Sequence, residues 1–375
     1  SIAGDGEIVV TDNGTIEAEG TIATLNASGN VTLNGGTGLT ISTALSGNPG
    51  LSLSGTVTLG GEVGDVSVNT GARLNLSGEL NAGAIENNGT IEIAGNTLTA
   101  DSIAGDGEIV VTDNGTIEAT GTIATLNASG NVTLNGGAAG LEITTITGTP
   151  APNLSLSGTV TLGGAVGNIT ANTGTLNLNA ILTAGTINNA GTINANGSTF
   201  NLTATGAITN TGMIALGGNT LTAASISGGT VTTTSGIITT TGTIATLTAN
   251  TGVTLNGGAA GLEITTITGT PAPNLSLSGT VTLGGAVGNI TANQDTLNLN
   301  GNLTATGAIT NIGTIALGGN TLEAASISGG TVTTTSGTIT VTGATASTIT
   351  TLTATTGVTL NGGSGLTVTT ALAGS

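Results

Sequence analysis

Hydrophobic and polar residues alternate along most of the chain, in short runs that end at glycine. Ser52–Gly61, for example, reads SLSGTVTLGG. Leu53, Val57 and Leu59 are therefore predicted to face one way, and the serines and threonines between them the other, as in a half-buried β-strand. The same pattern occurs at Ile8–Thr11, Thr90–Ile93, Leu176–Asn179 and Thr314–Leu317. Because no helical period of useful length is present and helix-forming residues are scarce, the sequence predicts essentially no α-helix.

Long internal repeats show how these strands are organised. The block Val132–Asn172 returns unchanged at Val253–Asn293, and looser copies begin at Val31 and Val358. Such self-similarity predicts an array of stacked units, because a chain with one globular core has no reason to repeat its contacts.

One insertion gives the size of the stacked unit. TLNLN occurs at Thr175 and Thr296, an offset of 296 − 175 = 121, whereas NLTATGAITN occurs at Asn201 and Asn302, an offset of 302 − 201 = 101. The two offsets differ by 121 − 101 = 20, and the extra piece lies around Leu182–Asn201. A fold that gains this piece without disturbing its neighbours is predicted to be built from coils of that size.

These features predict an all-β fold, a right-handed parallel β-helix with about 20 residues per coil and roughly 18–19 coils. The chain is predicted to be a single continuous β-solenoid, residues 1–375, with super-repeats at about 1–101, 102–222, 223–327 and, in part, 328–375. Phe200 aligns with Leu221 and Leu322, which predicts that its ring lies in the core. Ser1 and Ser375 both fall inside repeats and no cap is visible, so we expect either a segment of a much longer protein or end-to-end association into filaments, with the filament favoured.

All five prolines fall at one place in the super-repeat: Pro49, Pro150, Pro152, Pro271 and Pro273. Proline cannot donate to a strand ladder, so these segments are predicted to be loops that bulge from one edge. The loops Gly148–Asn153 and Gly269–Asn274 are the candidate binding elements for a host or surface glycan or protein.

The composition narrows the function. The chain has no Cys, His, Trp or Tyr, one basic residue, Arg73, and a formal net charge of −18. A surface of this kind cannot neutralise phosphates, so no nucleic-acid partner is expected, and no apolar run is long enough for membrane insertion. Without His or Cys, neither a nucleophilic triad nor a thiolate or imidazole metal site can form. We therefore predict no enzyme, with no catalytic, cofactor-binding or metal-binding residues and no cofactor.

Two sets of acidic residues could bind Ca²⁺ through oxygen ligands. They are Asp5, Glu7, Asp12 and Glu17, and Asp106, Glu108, Asp113 and Glu118. The glycine- and aspartate-rich calcium-roll repeat is absent, and the favoured interpretation is a solvated acidic stripe that keeps the protein soluble.

Threonine is concentrated in Thr230–Thr243, TVTTTSGIITTTGT, and in the related segment that starts at Thr331. A flat threonine array could order water against ice, although threonine is also a common outward residue of strands. The N-x-S/T triplets at Asn13, Asn26, Asn153 and Asn168 are weak signals for glycosylation, because alternating Asn and Thr produce them by chance.

The segments GTIATLNASGNVTLNGG at Gly20, GAIENNGTIEIAGNTLTA at Gly83 and GTINNAGTINANGSTFNLTATGAITNTG at Gly185 resemble the repeat regions of large bacterial surface proteins. These are the filamentous-haemagglutinin-like and autotransporter-passenger families. The resemblance covers nearly the whole chain and implies a β-helical shaft or adhesive fibre exported by type V secretion to the cell surface. No separate secretion domain or β-barrel translocator is visible.

The leading hypothesis from the sequence is thus an extracellular structural fibre or adhesin shaft that self-associates end to end. An ice- or surface-binding β-helix that uses the threonine arrays is the first alternative. A carbohydrate-active β-helix is the second, and it would need a groove with converging carboxylates.

Overall fold

The computed structural model describes residues 7–47, 49–197 and 199–373. The chain divides into two compact units, Ser1–Gly185 and Thr186–Ser375, and each is described by itself. The predicted super-repeat boundaries stay a prediction.

Within the described ranges every regular element is a β-strand. The first unit contains β1 (Glu7–Val10), β2 (Gly14–Glu17), β3 (Gly20–Ala27), β4 (Val31–Asn34), β5 (Leu39–Ser46), β6 (Leu51–Ser54), β7 (Thr56–Glu62), β8 (Val66–Val68), β9 (Arg73–Asn87), β10 (Thr90–Glu92), β11 (Thr97–Ala104), β12 (Glu108–Val111), β13 (Gly115–Glu118), β14 (Gly121–Ala128), β15 (Asn131–Asn135), β16 (Leu141–Thr147), β17 (Asn153–Ser157), β18 (Thr159–Ala165), β19 (Ile169–Asn172) and β20 (Thr175–Ala184).

The second unit contains β21 (Ile187–Asn189), β22 (Thr192–Asn194), β23 (Leu202–Asn210), β24 (Met213–Ala215), β25 (Thr220–Ser227), β26 (Thr230–Thr233), β27 (Gly236–Thr239), β28 (Gly242–Ala249), β29 (Gly252–Asn256), β30 (Leu262–Thr268), β31 (Asn274–Ser278), β32 (Thr280–Val287), β33 (Ile290–Asn293), β34 (Thr296–Asn311), β35 (Thr314–Ala316), β36 (Thr321–Ser328), β37 (Thr331–Val341), β38 (Ser347–Asn361) and β39 (Leu366–Ala373).

All described pairings are parallel, and they place equivalent residues of successive turns side by side. One inward column of the first unit consists of Leu39, Val57, Leu74, Ile91, Ile109 and Leu126. A column of the second unit consists of Val281, Leu297, Ile315, Val332 and Leu352. Every one of these side chains has 0% exposure. Full burial of each aliphatic side chain contributes about 1.5–3 kcal/mol, so these columns stabilise the stack.

The structure confirms the predicted β-solenoid, with about 18 residues per turn and about 20 turns summed over the two units. The repeat length varies from turn to turn. Leu51 pairs with Val66, an offset of 66 − 51 = 15, whereas Asn131 pairs with Asn153, an offset of 153 − 131 = 22. Corners account for the difference, because a turn that contains a proline loop is longer than one closed by tight turns. The coil length inferred from the sequence came from a single insertion and is therefore slightly long.

The inserted piece around Leu182–Asn201 behaves as one turn. Its strands β21 and β22 pair in register with β23 and β24, as in Ile187 with Ile208 and Ile193 with Ile214. Ile187 and Ile193 are 1% and 0% exposed. The insertion therefore adds a complete rung to the core.

The prediction for Phe200 was wrong. Leu202, and not Phe200, pairs with Leu221 in the ladder, and Leu202 is fully buried. Phe200 lies just before β23 and is only half-buried, with its ring against Gly197, where an added Cβ would lie 1.8 Å from a ring carbon. The sequence alignment of the repeats matched Phe200 with Leu221, two residues away from the partner in the strand ladder, because the corner before β23 differs in length.

Candidate functional site

Six outward threonines form the most regular polar surface of the second unit. They lie on β26, β28 and β30, which are paired strands of three successive turns, or rungs. Paired threonines form two columns that run perpendicular to these strands. The first column is Thr230, Thr246 and Thr266, and the second is Thr232, Thr248 and Thr268. We call these six residues the threonine array.

The core beneath the array holds its rungs in place. Val231, Leu247 and Ile267, which lie between the paired threonines, point inward and are 0%, 0% and 9% exposed. Neighbouring parallel strands are about 4.8 Å apart, and residues two positions apart on a strand about 6.6 Å. Thr248 Oγ1 and Thr268 Oγ1 are hydrogen-bonded at 2.9 Å. The backbone positions of the array therefore repeat at these intervals, whereas the hydroxyls of Thr248 and Thr268 are drawn together by their hydrogen bond.

The first unit carries a different surface at the matching positions of β12, β14 and β16. Its two columns are Glu108, Thr125 and Thr145, and Val110, Asn127 and Thr147. Asn127 Nδ2 donates a 2.9 Å hydrogen bond to Glu108 Oε1. The inward residues remain aliphatic, with Ile109 and Leu126 both 0% exposed. The two copies thus share their core and differ at three outward positions.

A second outward threonine column lies elsewhere in the second unit. It consists of Thr280, Thr296, Thr314, Thr331 and Thr351, one from each of five rungs. The column beside it is mixed: Thr282, Asn298, Ala316, Thr333 and Thr353. The Thr331 segment therefore contributes to a less regular surface than the threonine array.

The predicted run Thr230–Thr243 supplies only one rung of the array. Thr233 and Thr240 are buried, 5% and 3% exposed, and Thr233 Oγ1 donates to the Gly217 carbonyl at 2.7 Å. Sequence reasoning missed the other two rungs. The T-x-T triplets at Thr230, Thr246 and Thr266 would have indicated these strands in the sequence. Only the pairing of the strands shows that the three triplets are neighbours.

The two proline loops are short and partly buried. Each connects two strands, β16 with β17 and β30 with β31. Pro150 and Pro271 are exposed, as predicted, but Pro152 and Pro273 are buried. The Pro152 carbonyl accepts a 2.8 Å hydrogen bond from Gly167 N, and Pro273 accepts the same bond from Gly288 N. Only the first proline of each loop is thus presented to solvent.

The acidic residues that could hold Ca²⁺ are dispersed. Asp5 lies outside the described residues; Glu7 and Glu108 each accept a side-chain hydrogen bond, from Asn26 at 3.3 Å and Asn127 at 2.9 Å. Among residues 7–47, 49–197 and 199–373, no three His, Cys, Asp or Glu side chains come close enough to share a metal ion. The solvated acidic stripe stays a prediction.

Arg73 forms an ion pair with Glu92, and its Nε donates to Asn75 Oδ1 at 3.1 Å. The two charged side chains are 44% and 23% exposed. At this exposure an ion pair contributes about 0–1 kcal/mol, so the interaction is a local surface contact.

Glu19 has the one carboxyl group whose pKa is clearly displaced among the described residues. Thr37 donates its backbone N–H to Glu19 Oε1 at 3.0 Å and its hydroxyl to the same oxygen at 2.9 Å. Hydrogen bonds to the ionised form hold the pKa of Glu19 below its ordinary value, and the backbone bond is the larger cause.

Two small hollows, one in each unit, lie at different positions of the repeat and share only the equivalent glutamate. The first, about 380 Å³, includes Glu142, and the second, about 370 Å³, includes Glu263 and Asn300. Each glutamate accepts a hydrogen bond from an asparagine two turns on, Asn179 at 3.2 Å and Asn300 at 3.1 Å. Each hollow therefore offers one carboxylate that already has a partner.

Two of the N-x-S/T asparagines act at corners. Asn13 Oδ1 accepts from Asn30 N at 2.9 Å, and Asn153 Oδ1 accepts from Asn168 N at 2.8 Å. Their side chains thus connect successive turns of the first unit.

No protein-family model, curated protein or solved structure matches this chain. The described residues contain no helix long and apolar enough to cross a lipid bilayer. The fold by itself defines the class: the chain is a β-solenoid repeat protein.

Proposed function

We propose that the protein is an extracellular structural fibre or adhesin shaft on a bacterial surface. The observation that carries the proposal is the extra turn made by β21 and β22, which joins the stack in register with β23 and β24. A protein that works through one unique site must keep the geometry of that site. A shaft needs only length and regularity, and it tolerates the gain of a turn.

The composition of the surface supports the same proposal. The outward positions are mostly Thr, Ser and Asn, and the net charge of −18 favours solubility. The solvent-facing parts of the two proline loops, at Pro150 and Pro271, are then the elements available for contact with a host or surface partner. The style of the repeats, which resembles filamentous-haemagglutinin-like and autotransporter passengers, favours a location outside the cell.

Deletion of one turn tests the shaft. Thr296 pairs with Thr314, and Leu297 with Ile315, so removal of residues 296–313 brings the next rung into the place of the deleted one. We expect the variant to keep its β-rich circular dichroism spectrum and cooperative melting. A matched deletion of residues 296–304, half a turn, should disrupt folding because it puts the wrong strands side by side. Equal loss of structure in both variants would contradict a modular shaft.

Localisation and assembly need a separate experiment. Immunogold labelling of cells of the source organism should place the protein outside the cell envelope. Negative-stain electron microscopy of the purified chain should show filaments that lengthen with protein concentration. Label confined to the cytoplasm would overturn the extracellular proposal, and particles of one fixed length would overturn end-to-end association.

A further inference from the structure

One corner of the repeat occurs three times in the chain and has a different residue in its first copy. It lies at the dipeptides Gly50–Leu51, Asn153–Leu154 and Asn274–Leu275, which occupy the same place in the strand ladder. The leucine is buried in all three copies. The residue before it is asparagine twice and glycine once, so the first copy lacks a side chain that the other two have.

In the second copy the Asn153 carboxamide bridges two neighbouring turns. Its Nδ2 donates to Asn131 Oδ1 at 3.0 Å, and its Oδ1 accepts from Asn168 N at 2.8 Å. Asn131 belongs to the preceding turn and Asn168 to the following one. The two bonds therefore reach in opposite directions along the stack, as the N–H and C=O of a trans amide do. The third copy keeps the second of these bonds, from Asn289 N to Asn274 Oδ1 at 2.7 Å.

In the first copy the same place is an open hollow of about 440 Å³. Asn30 and Asp65 are the residues equivalent to Asn131 and Asn168, and both line it. A Cβ added at Gly50 would lie 2.5 Å from Asn30 Oδ1, so a side chain at this position would enter the hollow beside that oxygen. The hollow thus exists because glycine replaces the bridging asparagine.

Two groups in the hollow lack the partners that the asparagine supplies in the second copy. Within the part of the chain that the structure describes, neither Asn30 Oδ1 nor Asp65 N makes a hydrogen bond. The first is an acceptor that needs a donor, and the second is a donor that needs an acceptor. A ligand that replaces the lost carboxamide must therefore offer an N–H on one side and a carbonyl oxygen on the other.

The remaining wall of the hollow selects the groups that surround this amide. Thr32, Ser52 and Ser67 line the hollow and lie in register on β4, β6 and β8. Asp65 Oδ1 accepts from Ala84 N at 2.8 Å, which fixes the carboxylate and leaves its second oxygen for a ligand. Hydroxyl and carboxylate groups are suitable partners for the hydroxyls of a sugar, and the net charge of −18 repels an acidic ligand.

We infer that this hollow binds the acetamido group of a neutral N-acetylated amino sugar. The acetamido N–H donates to Asn30 Oδ1, and the acetamido oxygen accepts from Asp65 N. These are the two bonds that Asn153 makes with Asn131 and Asn168 in the second copy. The ring hydroxyls then contact the Asp65 carboxylate and the hydroxyl side chains of the wall. The inference does not rest on the shaft proposal, because the hollow binds its ligand whether or not the protein forms a fibre.

Binding is measured on the full-length chain by NMR titration of the backbone amides with N-acetyl-D-glucosamine and with N-acetyl-D-galactosamine. At least one of the two should shift the Asp65 amide signal in a saturable manner. D-Glucose and D-galactose, which lack the acetamido group, should not. The absence of a saturable shift with both acetamido sugars, or equal binding of the plain sugars, would refute the inference.

A further titration separates a sugar from a peptide. N-Acetylglycinamide carries amide groups without a sugar ring, so it should bind more weakly than the acetamido sugar. If it binds equally well, the hollow recognises an amide alone and the assignment to an amino sugar is wrong.

The other copies of the corner supply the test variants. Gly50→Asn gives the first copy the residue that both other copies carry, so it should retain the fold, fill the hollow and lower the affinity by about tenfold or more. Gly78→Asn is the matched control in the same unit, because an added Cβ there meets no atom within 4 Å, and it should bind as the unaltered protein does.

Asp65→Asn serves if Gly50→Asn does not fold. It also introduces the residue of the other copies, and it keeps the backbone N–H while removing a charged acceptor. We expect a loss of affinity of about tenfold, as for one hydrogen bond to a charged group. Unchanged affinity in either variant, or an equal loss in Gly78→Asn, would show that the ligand does not bind in this hollow.

Discussion

The Asn293 side-chain amide donates a 2.8 Å hydrogen bond to Asn311 Oδ1, one turn further along the second unit. Both side chains are buried, at 0% and 2% exposure. Asn311 Nδ2 in turn donates to the Thr331 carbonyl at 3.1 Å. Asn189 and Asn210 make the same 2.8 Å contact. These asparagines supply donors and acceptors at corners where strand pairing stops, which lets the chain bend inside an otherwise aliphatic core.

Asn311→Leu should destabilise the second unit. The substitution keeps the size of the side chain but removes two hydrogen bonds and leaves the Thr331 carbonyl without its side-chain donor. A buried group left without its partner costs about 1–3 kcal/mol, and we expect a loss of this order in urea unfolding. The matched control is Asn250→Leu at an exposed site of the same unit, which should change stability by less than about 0.5 kcal/mol. Equal effects would show that the buried pair has no special role.

Gly148→Ala should destabilise the first unit. Gly148 has φ 140°, and an added Cβ would lie 1.7 Å from the Ala128 carbonyl oxygen. Both the strained backbone and the clash act against alanine, so we expect a loss of more than about 1 kcal/mol. At Gly78 an added Cβ meets no atom within 4 Å. Gly78→Ala should therefore be neutral or stabilising, and a melting temperature lowered equally in both variants would contradict this explanation.

Glu19 gives a pH-dependent prediction. Its pKa is lowered in the folded protein by the two hydrogen bonds from Thr37, so the folded state binds this proton less readily than the unfolded state. The resulting stabilisation is present above the unfolded pKa and is lost as the pH falls through the folded one. Carboxyl NMR titration should find Glu19 below the ordinary glutamate value.

Thr37→Val is the matched control for this titration, because it removes the hydroxyl donor and keeps the backbone N–H. The Glu19 midpoint should then rise part of the way towards its ordinary value. A midpoint that stays unchanged would show that the side-chain bond does not contribute.

Leu297→Ala tests the core of the second unit. Leu297 is 0% exposed and lies in register between Val281 and Ile315. A leucine-to-alanine change at such a site costs about 2–5 kcal/mol. Since each turn contacts mainly its neighbours, hydrogen exchange should speed up most in β32, β34 and β35. Ile312→Ala, at a side chain 71% exposed, is the control and should leave exchange nearly unchanged.

Much of the fold could be predicted from local pattern. Leu53, Val57 and Leu59 were expected to face inward, and all three are 0% exposed. The extra turn at Ile187 followed from an offset between repeats. These predictions succeed because strand alternation and repeat length depend only on residues close together in the chain.

The failures share one cause, the register between turns. Phe200 was assigned to the core because its repeat position matches Leu221, yet the ladder pairs Leu221 with Leu202. Threonine arrays were expected within Thr230–Thr243 and within the segment that starts at Thr331, but the array joins residues whose numbers differ by as much as 268 − 230 = 38. Corners that vary in length from turn to turn shift the register, and sequence spacing alone does not give their lengths.

The sequence by itself determined the class of fold, because alternating aliphatic and polar residues with glycine corners can bury their apolar face only in stacked parallel strands. It also determined an acidic first half and a nearly uncharged second half. Only the tertiary structure decided which residues become neighbours. Strand pairing aligns Thr232, Thr248 and Thr268 in one column, and it places Asn293 against Asn311. The physical reason is that side-chain direction is a local property of a strand, whereas contact between turns depends on the length of every corner between them.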